Sequence, residues 1–103
     1  MDCNSISDYI DILRGLVVLK NTKMAGNATR GQIGILHARY KPFFEDRDSR
    51  LRSIAYLIGV DRGSFGKLTR GEASTLIDLT GWYNFDDIVE YAKAITECCG
   101  TTN

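Results

Sequence analysis

Thr-Arg-Gly followed by Gln or Glu occurs twice, at residues 29–32 and 69–72. In such a start the Thr side chain accepts the N–H three residues on. The Gln or Glu side chain reaches back to the Thr amide, so two orphan donors of a helix N-terminus are satisfied together. Apolar or partly apolar residues then recur at helical spacing: Ile33, Leu36, His37 and Tyr40 in one copy, Ala73, Leu76, Ile77 and Thr80 in the other. A chain that writes a helix start twice is constrained toward helix packing on helix.

The rest of the sequence follows the same period. Ile6, Tyr9, Ile10, Leu13, Leu16 and Val17 predict an amphipathic helix over 5–19, with Ser5 or Ser7 as cap and Asp8 in its first turn. NTKMAGNA reads as a loop. The single proline, Pro42, ends or kinks the second helix near Arg39–Lys41, and Phe43 and Phe44 plug the core beneath that turn. A third helix starts near Asp48 or Ser49, carries Leu51, Ile54, Ala55 and Ile58, and stops at Gly59. The run VDRGSFGK reads as a loop whose turn presents Phe65. Gly81 ends the fourth helix. The fifth runs over 84–99, with Asn84 as cap, Asp86 and Asp87 in the first turn, and Phe85, Ile88, Val89, Ala92 and Ile95 on its buried side. No segment alternates with period two over a strand length. The expectation is one all-α domain, a compact bundle of about five short helices over 1–103.

Composition narrows the class. With 103 residues, 44% apolar and 25% charged, the chain is an ordinary globular one with one modest core. No apolar run approaches the roughly 18 residues of a membrane span, and MDCNSISDY is not a secretory signal. Cys3, Cys98 and Cys99 offer neither a disulfide framework nor zinc spacing, so reduced thiols in the cytoplasm are expected. No nucleophile motif, metal-ligand spacing or dinucleotide fingerprint emerges, so the reading is non-enzymatic, with no metal and no cofactor. GSFGK at 63–67 fails as a phosphate loop. Two residues rather than four separate its glycines, and Leu68 follows the lysine. His37 is the sole histidine and reads as structural.

The net charge is zero, but residues 20–70 hold 11 Lys and Arg against 4 Asp and Glu, while residues 71–103 hold one Lys against six acids. This pattern gives two electrostatic faces, unless the two segments pair with each other. Arg30 and Arg70 open their helices against the dipole preference, and Gly31 and Gly71 leave backbone amides open to close approach. Thr29, Arg30, Gly31 and Gln32 therefore form a candidate phosphate seat. Thr69–Glu72 is expected to be structural capping, since Glu72 would repel a phosphate. The competing reading makes both copies ordinary helix starts with solvated arginines. Trp82 and Tyr83 either close the core or offer a stacking surface for bases.

Taken in order, Thr29, Gln32, Ile33, Leu36 and His37, then Gly59-Val60, Ser64, Leu68-Thr69, Glu72-Ala73-Ser74 and Leu76-Ile77-Asp78 form a pattern over about half the chain. It resembles the Mu-type phage regulatory family called GemA and the small helical modules appended to phage recombination proteins. The resemblance places a family-like core at 28–80, with flanking helices in 1–27 and 81–103. DRDSRLRSIAY and the two flanks depart from the pattern. The resemblance implies phage DNA metabolism or host modulation, in the cytoplasm of the host cell, and supplies no catalytic residue.

Two functions follow as expectations. In the first, the protein binds nucleic acid through a basic central surface: Thr29, Arg30, Gly31, Gln32, Arg39, Lys41, Arg50, Arg52, Arg62, Lys67 and Arg70. In the second, it is a protein-binding regulator or inhibitor of a host enzyme or defence system, anti-CRISPR-like, which meets a basic partner through Asp86, Asp87, Glu90 and Glu97. A homodimer through an apolar helix face is compatible with either.

Overall fold

A computed structural model describes residues 3–100, with side chains described for 6–97; Ser5 and the three cysteine side chains fall outside that range. It is an all-α bundle of five helices: α1 Cys3–Lys23, α2 Arg30–Tyr40, α3 Arg47–Ile58, α4 Arg70–Leu79 and α5 Phe85–Gly100. Short 3-10 turns, Lys41–Phe43 and Phe65–Lys67, follow α2 and precede α4. α1 packs on α3, α4 and α5, α2 packs on α4, and α3 packs on α5. Among the described residues no helix is long and apolar enough to cross a membrane.

The marked stripes are buried in the main, but on α2 only Leu36 and Tyr40 are fully covered and His37 is exposed, and on α4 Thr75 and Leu79 are buried while Ile77 and Thr80 are half-buried. Ile6, Ile10, Leu13 and Val17 of α1 meet Leu76 and Leu79 of α4, Leu57 of α3, and Ile88, Val89 and Ala92 of α5 in one core. A fully buried side chain of this size contributes about 1.5–3 kcal/mol relative to exposure. Tyr40 is fully buried at the end of α2, and its hydroxyl donates to the Leu76 carbonyl at 2.6 Å, tying α2 to α4. Burial pushes its phenol well above the ordinary range. Phe85 packs edge-on against Tyr40 and Phe43.

Several boundaries differ from expectation. α1 begins before Ser5 and runs on through Lys23, so Ser7 lies inside the helix and NTK is helical. The extension is held from outside. Lys20 pairs with Asp78 and donates to Ser74 at 2.9 Å, while the Thr69 hydroxyl donates to Asn21 at 2.7 Å. Asp46, not Asp48 or Ser49, caps α3 by accepting the Ser49 N–H at 2.7 Å. Gly59 ends α3 in the left-handed conformation its position predicts, φ +82°. Phe65 is not presented by its turn. It is 4% exposed and belongs to the core.

Both capping boxes form. The segments that lead into them also pair: Asn27 and Thr69 make an isolated antiparallel bridge, Ala28 N–H donates to Leu68 O at 2.8 Å, and Arg70 N–H donates to Gly26 O at 3.0 Å. The repeated start therefore builds two helix N-termini side by side. Gln32 Nε2 spans them, donating to the Arg70 carbonyl at 3.4 Å.

Candidate functional site

The two starts differ in what remains open. At α2, the Gln32 amide is taken by Thr29 Oγ1 and the Thr29 amide by Gln32 Oε1. The first intrahelical bond runs from Ile33 N–H to Thr29 O, so the Arg30 and Gly31 amides stand ahead of it. Both residues are exposed, and a Cβ on Gly31 would meet nothing nearer than Thr29 Oγ1 at 4.0 Å. At α4, Arg70 N–H already serves Gly26, and Gly71 is buried against α1. A Cβ on Gly71 would lie 2.5 Å from Asn21 Oδ1 and 2.9 Å from the Asn21 backbone nitrogen. Gly71 is thus the close-approach point of α1 and α4.

Glu72 does not act as the exposed charge its sequence position implies. It is 1% exposed, accepts the Thr69 N–H at 2.9 Å, and receives Arg62 through Nε at 3.1 and 3.2 Å and Nη2 at 2.7 Å. The bond to Glu72 holds the Arg62 guanidinium above its ordinary range. Arg62 is therefore a structural counter-ion for a buried carboxylate.

The other basic residues fall into separate groups. With about 100° between successive residues, Arg30, His37 and Lys41 share one flank of α2, and Arg39 lies on the other. The first flank meets the Phe65–Lys67 turn. The His37 and Phe65 rings are 4.9 Å apart, and Arg50 of α3 stacks over Phe65 at 5.3 Å. His37 is held below its ordinary value by burial first, then by the positive charges of Arg50 and Lys41. Lys41 and Arg50 thus stand near His37, Lys67 lies in the turn against α2, and Arg30 and Arg70 open the two paired helix starts. Arg52 lies apart, in a mixed-charge groove with Arg47, Asp48 and Asp61.

The acidic end remains distinct. Among the described residues the ion pairs are Lys20–Asp78 and Arg62–Glu72. Asp86, Asp87, Glu90 and Glu97 are exposed and join neither. The two ion pairs each join the basic segment 20–70 to the acidic segment 71–103, so these segments pair in part, through α4; the α5 acids take no part in that pairing. Trp82 and Tyr83 divide: Trp82 is half-buried against Tyr9, while Tyr83 is 81% exposed with its hydroxyl 2.9 Å from that of Tyr9. Tyr9, Ile12, Trp82, Tyr83 and Asn84 line a groove of about 310 Å³. Sequence reasoning placed Tyr9 on the core stripe of α1 and missed this meeting. The one signal available was Ile12, an apolar residue off that stripe. Asn84 also differs from expectation. Its backbone carbonyl accepts Ile88 N–H as a cap residue's does, but its buried side-chain amide makes no hydrogen bond among the described residues.

No protein-family model, curated protein or solved structure matches this chain.

Proposed function

We propose that this chain is a non-enzymatic, phage-type protein that binds nucleic acid through its phosphates, with Arg30, Lys41, Arg50, Lys67 and Arg70 as the contacts. The observation that carries the reading is the exposed α2 start: Arg30 beside two amides that precede the first helical bond, together with cations that join no ion pair among the described residues. Thr29 and Gln32 hold that start in shape. Arg62 leaves the contact set because Glu72 holds it. Arg39, on the other flank of α2, and Arg52, in the mixed-charge groove, are left out.

Titration with labelled single- and double-stranded DNA at low and moderate salt tests this. Binding is expected to fall steeply with salt. Arg30→Ala should weaken it across sequences and lower the log–log salt slope by about 0.9 on duplex. Arg52→Ala should leave the slope alone. Equal affinity and slope in wild type and Arg30→Ala would remove the α2 start from the interface.

A second reading is favoured by the acidic end, where Asp86 and Asp87 lie beside the exposed Tyr83 and, with Glu90, join no ion pair among the described residues. In it, the protein regulates or inhibits a host enzyme or defence system by occupying a basic surface of that partner. Its test is retention of a protein partner after nuclease treatment, lost in an Asp86→Asn, Asp87→Asn variant. Retention unchanged in that variant would refute it.

A further inference from the structure

Asn84 is 3% exposed, and among the described residues neither its side-chain oxygen nor its side-chain nitrogen has a hydrogen-bond partner. Buried amides are rarely left wholly unpaired, and an orphaned one asks for a reason. Two adjoining grooves share Asn84 as wall. One is the aromatic groove of Tyr9, Trp82 and Tyr83; the other, about 330 Å³, is lined by Trp82, Tyr83, Asp86 and Asp87. The amide therefore stands between an aromatic wall and a carboxylate wall.

The chemistry of these walls selects the occupant. The Tyr9 ring lies 5.9 Å from Trp82 at 58° and 6.3 Å from Tyr83 at 82°. Faces turned at such angles surround a cation better than they sandwich a flat base. The Asp86 and Asp87 carboxylates beside them repel phosphate and attract positive charge. Resting on the protein-binding reading above, we propose that Tyr9, Trp82, Tyr83 and Asn84, rimmed by Asp86 and Asp87, seat an arginine side chain from a basic segment of another protein. The guanidinium stacks on an aromatic face and donates to Asn84 Oδ1 and to the rim carboxylates, which a compact ammonium does less well. Asn84 Nδ2 donates to a carbonyl of the incoming backbone. Tyr83, 81% exposed, gives up its hydroxyl contact with Tyr9 and turns aside to admit the group.

Trp82 is the only tryptophan, so its fluorescence reports on this site alone. The probe is an acetylated, amidated Gly-Arg-Gly peptide at low salt, with its citrulline counterpart as neutral control. The arginine peptide is expected to change Trp82 emission and move the Asn84 side-chain amide signals in a ¹⁵N spectrum. The citrulline peptide should do neither. Tyr83→Ala and Asn84→Ala should each weaken binding about three- to tenfold. Both variants should fold, since one side chain is exposed and the other makes no bond.

Binding lost in Asp86→Asn, Asp87→Asn but unchanged in Tyr83→Ala and Asn84→Ala overturns the seat and leaves the acidic-surface reading standing. No response to the peptide overturns the seat and leaves the protein-binding reading to the nuclease-treated retention test. A response to adenosine monophosphate instead assigns the groove to a base. Concentration-dependent association of the chain that Tyr83→Ala abolishes assigns it to a second copy; either result also overturns the proposal.

Discussion

Arg62→Ala should unfold this protein more readily than any charge argument about its surface implies. Its partner Glu72 is 1% exposed, whereas the Arg62 side chain is 36% exposed. Breaking a fully buried pair costs about 3–5 kcal/mol, while an exposed pair contributes about 0.2–1 kcal/mol. The loss here falls mainly on the buried side. Without Arg62 the carboxylate keeps only the Thr69 N–H among its observed partners. Discounted for the exposed guanidinium, the expected cost is about 2–3 kcal/mol, a fall in Tm of roughly 10–20 °C for a chain of this size.

Glu72→Gln should cost less, about 1 kcal/mol. Its side-chain oxygen still accepts the Thr69 amide, as Gln32 does for Thr29, and the released arginine can hydrate. In the Glu72→Gln background, Arg62→Ala should then cost little, giving a coupling of about 1.5–2 kcal/mol. Urea denaturation of the four proteins measures it. A change within about 0.5 kcal/mol for Arg62→Ala, or a larger cost for Glu72→Gln than for Arg62→Ala, would refute the reasoning. The same variant bears on function: Arg62→Ala should leave the salt slope of DNA binding unchanged, because its guanidinium faces Glu72. A slope lowered by about 0.9 on duplex would return Arg62 to the phosphate contacts.

The two glycines of the repeated start should respond with opposite sign. Gly31→Ala meets open space and should stabilise by up to about 1 kcal/mol. Gly71→Ala meets the Asn21 and Lys20 backbone and should destabilise by about 1–3 kcal/mol; like signs in thermal melts would refute the assigned contact. The pH dependence should carry a His37 component. Because its folded-state value is lowered from 6.5, the unfolded chain binds more protons between the two values. Stability is therefore full above about 6.5 and falls as pH drops through that value toward the folded one. His37→Gln should flatten this fall in urea midpoints between pH 7.5 and 5.5, and parallel curves for the two proteins would refute it.

What the sequence made legible is what neighbours along the chain decide. Both capping boxes, the Gly59 stop and the buried stripes follow from hydrogen bonds and side chains three or four residues apart, so the all-α bundle could be read directly. Apart from the Asp46 cap, which is local, the misreadings are decided across the fold. α1 outlasts its apolar stripe because Lys20 and Asn21 find Asp78 and Thr69 on α4. Phe65 leaves a polar loop for the core because α2 and α3 bring His37 and Arg50 onto its ring. Tyr83 stays exposed while its neighbour Trp82 packs on Tyr9, a distinction no composition rule makes. The candidate site shows the same division. The sequence favoured the first Thr-Arg-Gly over the second because Gln32 is neutral and Glu72 charged. The structure separates the two starts on other grounds. Glu72 points inward to Arg62 and repels nothing at the surface, and the second start is closed by α1 lying across Gly71. Identical letters therefore differ in exposure here through the helix packed against them. The same argument makes Gly71, rather than Glu72, the position that keeps the second start structural.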